Sequence, residues 1–212
     1  MSKRIPYPEP LQQIIWLLVL ASITILAACG PDFDNPLDPK NAPDNSGLIE
    51  AGWLDYESGN IDEAVTKFRQ VTTKDPQQAE ARIGLGWGLF RQQDAQGAIN
   101  EFQTALVIDP DAVDAHVGIA GAFLTTEKYQ SAIDHAQAAL RLKPNYTFAH
   151  DALITSENLH LVLAEGYYYL GDYTKATEEV TIVDASVEVD QGNIASDLLR
   201  VLEELTQRIN GR

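Results

Sequence analysis

The groups able to do covalent or acid–base chemistry are few. One cysteine, Cys29, and four histidines, His116, His135, His150 and His160, stand in a chain of 212 residues. A lone thiol cannot close an internal disulfide or supply a multi-thiolate zinc site. The histidines show no metal-ligand spacing, and packing within helices accounts for them better. No GxSxG, phosphate loop or HExxH occurs, and no second cysteine is left to act as a nucleophile. Acids such as Glu178 and Glu179 read as solvated helix faces. Neither an enzyme nor a resident metal or cofactor is expected.

Charge narrows the partners. The formal net charge is −16. Such a surface repels phosphate backbones and anionic headgroups, so nucleic acid is not an expected partner. It attracts basic partners by long-range steering that fades with salt.

Cys29 draws its meaning from what precedes it. Lys3 and Arg4 form a basic start, and an apolar run from Ile14 to Ala28 follows. This is the layout of a secretory signal. Leu26-Ala27-Ala28-Cys29 resembles the lipobox of bacterial lipoproteins. The resemblance implies cleavage after residue 28, a diacylglyceryl thioether on Cys29 and acylation of the new amino terminus. Two or three chains anchor stably where one does not. Gly30 in place of aspartate implies, by the family's sorting habit, an outer-membrane lipoprotein facing the periplasm. An uncleaved transmembrane helix over Leu11–Ala28 and an incidental cysteine are the alternatives. Residues 29–46, rich in proline and aspartate, offer no packing face and read as a lipidated tether.

From residue 45 the chain repeats with a period of 34. Ala51-Gly52, Gly59, Ala64, Phe68 and Pro76 are matched by Leu85-Gly86, Ala98, Phe102 and Pro110, then by Ile119-Ala120, Ala132, Ala136 and Pro144. Small residues let paired helices approach, and each proline ends a helix. These positions resemble the tetratricopeptide repeat, whose period and Leu-Gly, Ala-x3-Phe and proline signature they share. The resemblance implies an all-α, right-handed α-solenoid of about four helical hairpins. Repeats are expected near 45–78, 79–112, 113–146 and 147–190, the array running over 47–190. Asp55, Arg82 and His116 depart from the family's large apolar positions.

The fourth repeat carries about ten extra residues before Tyr167-Tyr168, Gly171-Asp172-Tyr173 and Ala176. The spacing of Phe148, Ala152, Leu159 and Leu163 suggests a lengthened first helix, with a loop as the alternative. Residues 191–212 give an amphipathic capping helix with the stripe Ile194, Leu198, Leu202, Leu205 and Ile209.

The resemblance places function on the concave side, lined by the first helix of each repeat. There it puts Ile49, Trp53, Tyr56, Glu57, Ile83, Trp87, Phe90, Arg91, Val117, Leu124 and Tyr168. An aromatic groove anchored by Trp53, Trp87 and Phe90 would take a peptide or helix segment of a protein partner. Alternatively neighbouring repeats, the lengthened helix or the C-terminal helix cover the same residues, and burial of both tryptophans would count against the groove. The family's carboxylate clamp finds only Arg91 and Asn158 here, so capture of a chain terminus is not expected. Among such lipoproteins are recruiters of peptidoglycan-modifying enzymes and pilotins of secretion pores, which makes a scaffold or adaptor the expected function. A purely structural repeat protein is the remaining alternative.

Overall fold

The computed structural model describes residues 45–211. The expected signal peptide, Cys29 and the expected tether up to residue 44 lie outside them. Among the described residues, nine helices and one small hairpin follow in order. The first pair is α1 (Ser46–Glu57) and α2 (Ile61–Lys74), then α3 (Ala79–Arg91) and α4 (Ala95–Ile108), then α5 (Val113–Thr125) and α6 (Tyr129–Leu142). Strands β1 (Thr147–Phe148) and β2 (Asp151–Thr155) come next. The last pair, α7 (Ser156–Tyr169) and α8 (Tyr173–Val183), is followed by α9 (Ile194–Asn210). This is an all-α solenoid of paired helices with a C-terminal cap, interrupted once by a β-hairpin.

The turn within each pair repeats as faithfully as the sequence. Gly59, Gln93, Glu127 and Gly171 each take a left-handed backbone, with φ of 80°, 65°, 59° and 80°. The spacing of these four residues places the extra ten residues of repeat four ahead of α7. Small residues set the helix separation. The buried Phe68 ring lies between Gly52 of α1 and Gly84 of α3, where an added Cβ would stand 2.8 Å and 2.4 Å from ring carbons. Phe102 lies in the same way between Gly86 and Gly118, at 2.7 Å and 2.2 Å. In repeat three the equivalent of the phenylalanine is Ala136, itself buried, and Ala120 replaces the glycine.

The polar departures from the family pattern form a series. Arg82 donates to Glu101 at 2.8 Å, tying α3 to α4. One repeat on, His116 and His135 approach at 2.9 Å between their Nδ1 atoms, which requires one imidazole to accept and so to be neutral there. In repeat four His160 meets Glu179 at 2.7 Å. Arg82 also donates to the Pro76 carbonyl, and His116 approaches that of Pro110. Thus three of the four histidines cross-link the helices of a pair. In repeat one Lys67 pairs with Asp55 instead.

The fourth repeat corrects one expectation. Helix α7 does not absorb the extra ten residues; it has 14 residues against 12, 13 and 13 in the other first helices. The extra residues form the hairpin, with Thr147 opposite Thr155 and Phe148 opposite Asp151 and a register shift between them. Thr155 is the reason α7 starts where it does. Its side chain accepts from the Glu157 amide, and Asn158 reaches back to the Thr155 amide at 2.8 Å. That reciprocal capping fixes the helix start and leaves the preceding residues extended. The helical spacing of Phe148 and Ala152 is coincidental, since Phe148 is buried and Ala152 exposed.

Helix α8 ends without a proline. Asp184 closes it by accepting from the Ser186 amide and hydroxyl, and it pairs with Arg208 of α9 at 2.7 Å. These contacts, the Ser186 hydrogen bond foremost, hold its carboxyl well below the usual range. Helix α9 packs on α7 and α8 through Leu198, Val201, Leu202, Leu205 and Ile209, all buried. Among the described residues no helix is long and apolar enough to cross a membrane.

Candidate functional site

Helices α1, α3, α5 and α7 stand side by side and form one wall of the array. A repeat of 34 residues brings the same helical position to the same height on each, so Trp53 and Trp87 are neighbours on this wall. Trp53 packs edge-on against Phe68 at 4.9 Å, and Trp87 against Phe102 at 5.7 Å. The glycine-flanked phenylalanines therefore brace the two indoles from behind.

The indoles do not face solvent. Trp53 is 6% exposed and Trp87 3%, and what covers them is the inserted hairpin. Phe148 stacks on Trp87 with ring centres 4.6 Å apart and planes 25° from parallel. His150 lies flat on Trp53 at 3.8 Å and 2°. Phe148 also meets the edges of Trp53 and Tyr56 at 5.9 Å and 6.3 Å. Phe148 ends β1, and His150 lies in the tight turn that leads to Asp151.

Polar contacts fasten both ends of this segment. Tyr146, fully buried, donates its hydroxyl to Asp114 of α5 at 2.7 Å. Burial and the adjacent carboxylate push that phenol far above its ordinary range, so it stays a donor. His150 meets Glu57 of α1 at 2.7 Å. Asp151 lies 3.6 Å from Arg91, whose guanidinium also sits over the Tyr56 ring at 5.5 Å. Burial raises the Tyr56 phenol, against the opposing influence of Arg91. The hairpin therefore crosses the wall from the start of α5 to the end of α1. Within this packing the indole N–H groups of Trp53 and Trp87 are buried with no hydrogen-bond partner among the described residues.

The structure places the expected groove residues at three levels of burial. Ile49, Trp53, Tyr56, Ile83, Trp87 and Val117 are buried, Phe90, Leu124 and Tyr168 half-buried, and Arg91 exposed. The cover expected from neighbouring repeats or helices comes from a hairpin instead. Tyr146, Phe148, His150, Asp151 and Asp114 complete the site, and sequence reasoning did not single them out for it. The signal was the alternation Tyr146-Thr147-Phe148, which reads as extended with one apolar face, followed by the turn that carries His150. Asn158 belongs to the α7 cap and forms no clamp. Further along the wall, Tyr169 stacks on Tyr129 at 4.6 Å and remains 54% exposed, while Tyr167 turns inward and accepts from Gln137.

Among the described residues no group of three His, Cys, Asp or Glu could hold a metal ion. Burial of both indoles counts against an open groove: the flat apolar surfaces of the wall lie under the hairpin, with Glu57 and Arg91 at the edge.

The sequence matches the tetratricopeptide repeat family over residues 49–113 and 87–147. No curated protein matches it. Solved structures do. The crystal structure of MamA protein superposes with a TM-score of 0.58 at 19% identity, covering 78% of this chain and 88% of that one. TTC0263, a thermophilic protein of Thermus thermophilus, gives 0.55 at 19% identity, covering 78% and 82%. The Cut9–Hcn1 assembly of the APC/C gives 0.58 at 21% identity, covering 74% of this chain and 29% of that one. At such identities the likeness is one of fold.

Proposed function

We propose that this tetratricopeptide-repeat protein is a membrane-tethered scaffold of the cell envelope, whose first-helix groove holds a segment of a protein partner. The single observation that carries the groove's role is the seating of Tyr146–Asp151. The wall stacks two indoles against Phe148 at the end of β1 and His150 in the turn after it, with polar contacts at both ends of the crossing. Aromatic anchors in desolvated positions are where binding energy concentrates. A net charge of −16 favours a basic partner, and a peptidoglycan-modifying enzyme of the periplasm fits that chemistry. The sequence Leu26-Ala27-Ala28-Cys29 supports a lipid anchor on Cys29, with the outer membrane as its address.

One comparison tests both halves. The full chain is purified from envelope membranes after crosslinking, as wild type and as Trp53→Ala/Trp87→Ala at equal abundance. Loss of one basic peptidoglycan enzyme, with binding that weakens as salt rises, is the expected result. Identical partner lists would defeat the groove, and loss of a secretin would identify a pilotin instead. Cys29→Ser should abolish incorporation of labelled palmitate and release the protein from the membrane fraction. Continued membrane retention would defeat the tether.

A further inference from the structure

The groove assigned to a partner is already filled by the chain itself. Three features set the hairpin apart from the helices it crosses. It is a ladder of two short strands with an irregular register, and two strands alone are marginally stable in water. Its outer face is open: Ala149 and Ala152 are exposed, and Leu153 is 54% exposed. Contact with the wall therefore holds it chiefly through its inner side chains. Third, the fit is incomplete. The Trp53 and Trp87 N–H groups are buried beneath it and unpaired among the described residues, although buried donors almost always find an acceptor. The hairpin supplies flat rings to the indoles and no oxygen to their N–H groups.

We propose that the hairpin is an exchangeable internal occupant, displaced when a partner segment folded into a like turn takes its place on Trp53 and Trp87. The occupant it imitates defines the partner's chemistry. That segment carries an aromatic residue to lie on Trp87 and, two residues on, a histidine or arginine to lie on Trp53 and reach Glu57. Arginine suits the second position because its guanidinium stacks on indole and pairs with carboxylate together. Main-chain carbonyls of that segment would supply the acceptors that the two indole N–H groups lack. Displacement is local, because the hairpin joins α6 and α7 while the helix pairs pack on one another without it. The inference rests on the groove being the partner's surface.

The probe is a fluorescein-labelled peptide of residues 145–156, titrated by anisotropy into the full chain in detergent. Phe148→Ala/His150→Ala empties the wall of its own rings. This variant should bind the peptide at least ten-fold more tightly than wild type, and adding Trp87→Ala should remove the gain. Equal affinity for wild type and variant, with the variant's circular dichroism unchanged, would overturn the proposal. Hydrogen exchange on wild type keeps the test should the variant misfold. The Ser156 amide, bonded to the Tyr146 carbonyl at 2.9 Å, should exchange at least a hundred-fold faster than the core amides of α3. Protection equal to α3 would also overturn it. The two readings fail separately. Peptide binding by the opened variant with unchanged envelope partners sinks the scaffold and leaves an exchangeable hairpin without an envelope partner to displace it. Groove-dependent capture with no gain in the opened variant does the reverse.

Discussion

Repeats two and three share a backbone and a period, yet they space their helices with different chemistry. Repeat two fills the gap with Phe102 and clears room for it with Gly86 and Gly118. Repeat three uses Ala136 against Ala120 and needs no such clearance. The polar cross-link differs in parallel, Arg82–Glu101 against His116–His135. One fold thus tolerates two packings because a large residue on one helix is compensated by a missing Cβ on its neighbours. The compensation is a pair property, so its members should not be exchangeable one at a time.

The largest effect should come from breaking that pair. Phe102→Ala should cost about 3–5 kcal/mol, the usual range for deleting a buried aromatic. Gly118→Ala alone should cost about 1–3 kcal/mol, because its Cβ would overpack the ring. Together they should be milder than their sum. Once the ring is gone, alanine in a helix interior is favoured over glycine by roughly 1 kcal/mol. Urea unfolding of the two single variants and the double variant measures the coupling. Strict additivity would show that the glycine and the ring are independent.

Next in size is the hairpin. Phe148→Ala removes a fully buried ring, as Phe102→Ala does, but from a segment held at one face. Its cost should stay below half that of Phe102→Ala, because local opening of the hairpin limits the loss. Thermal unfolding by circular dichroism, read beside tryptophan emission, separates the two. Emission should shift to the red with little change in midpoint. A fall in midpoint equal to that of Phe102→Ala would make the hairpin part of the global core.

These two regions also divide what was legible in the sequence. The period of 34 was readable because Gly52, Gly86 and Ala120, or Ala64, Ala98 and Ala132, meet the same local demand in each repeat. A capping helix was readable because Leu198, Leu202, Leu205 and Ile209 keep a helical stripe. Register also puts Trp53 and Trp87 at the same position of successive first helices. Their cover was not legible, because it is non-local: His150 and Glu57 lie 93 residues apart. The ten extra residues were also ambiguous. Phe148 and Ala152 fit a helical spacing as well as Tyr146 and Phe148 fit a strand. The deciding feature was the Thr155–Asn158 cap, which stops α7 from extending backward.

The histidine pair sharpens the comparison of repeats two and three through pH. Burial, then the neighbouring His116, lowers the His135 pKa from its ordinary 6.5. A folded-state value below the unfolded one means the unfolded chain binds the proton more readily. Stability should therefore be full above about pH 6.5 and fall as acid drives His135 through its lowered folded-state pKa. Carboxylates such as Asp184 and Asp197, held below 3.8, act only in stronger acid. His135→Glu copies the His160–Glu179 pairing into repeat three. It should flatten or reverse the trend between about pH 7 and pH 5.5 in thermal unfolding. An unchanged slope would place the titrating group elsewhere.

The smallest effect belongs to the cap. Glu165 on α7 is half-buried beside α9, and its Oε1 accepts only a long bond, 3.4 Å, from the Thr206 hydroxyl. Burial raises its pKa above 4.5, the Thr206 bond opposing only in part. For a carboxyl the sign reverses relative to His135. The protonated form is favoured in the folded state, so its stabilising contribution is present in acid and lost as pH rises through the folded-state value. At neutral pH the carboxylate thus opposes docking of α9. Glu165→Gln keeps the shape and an acceptor and removes the charge. It should stabilise the chain at pH 7 by a few tenths to about 1 kcal/mol, within the range of a single partly buried polar group. Near pH 4 the gain should vanish, because wild type is then neutral at that position too. Repeats one to three stack on following repeats, and only the last pair relies on a helix that presents Thr206 to a carboxylate. A gain equal at both pH values would mean that shape rather than charge limits the docking of α9.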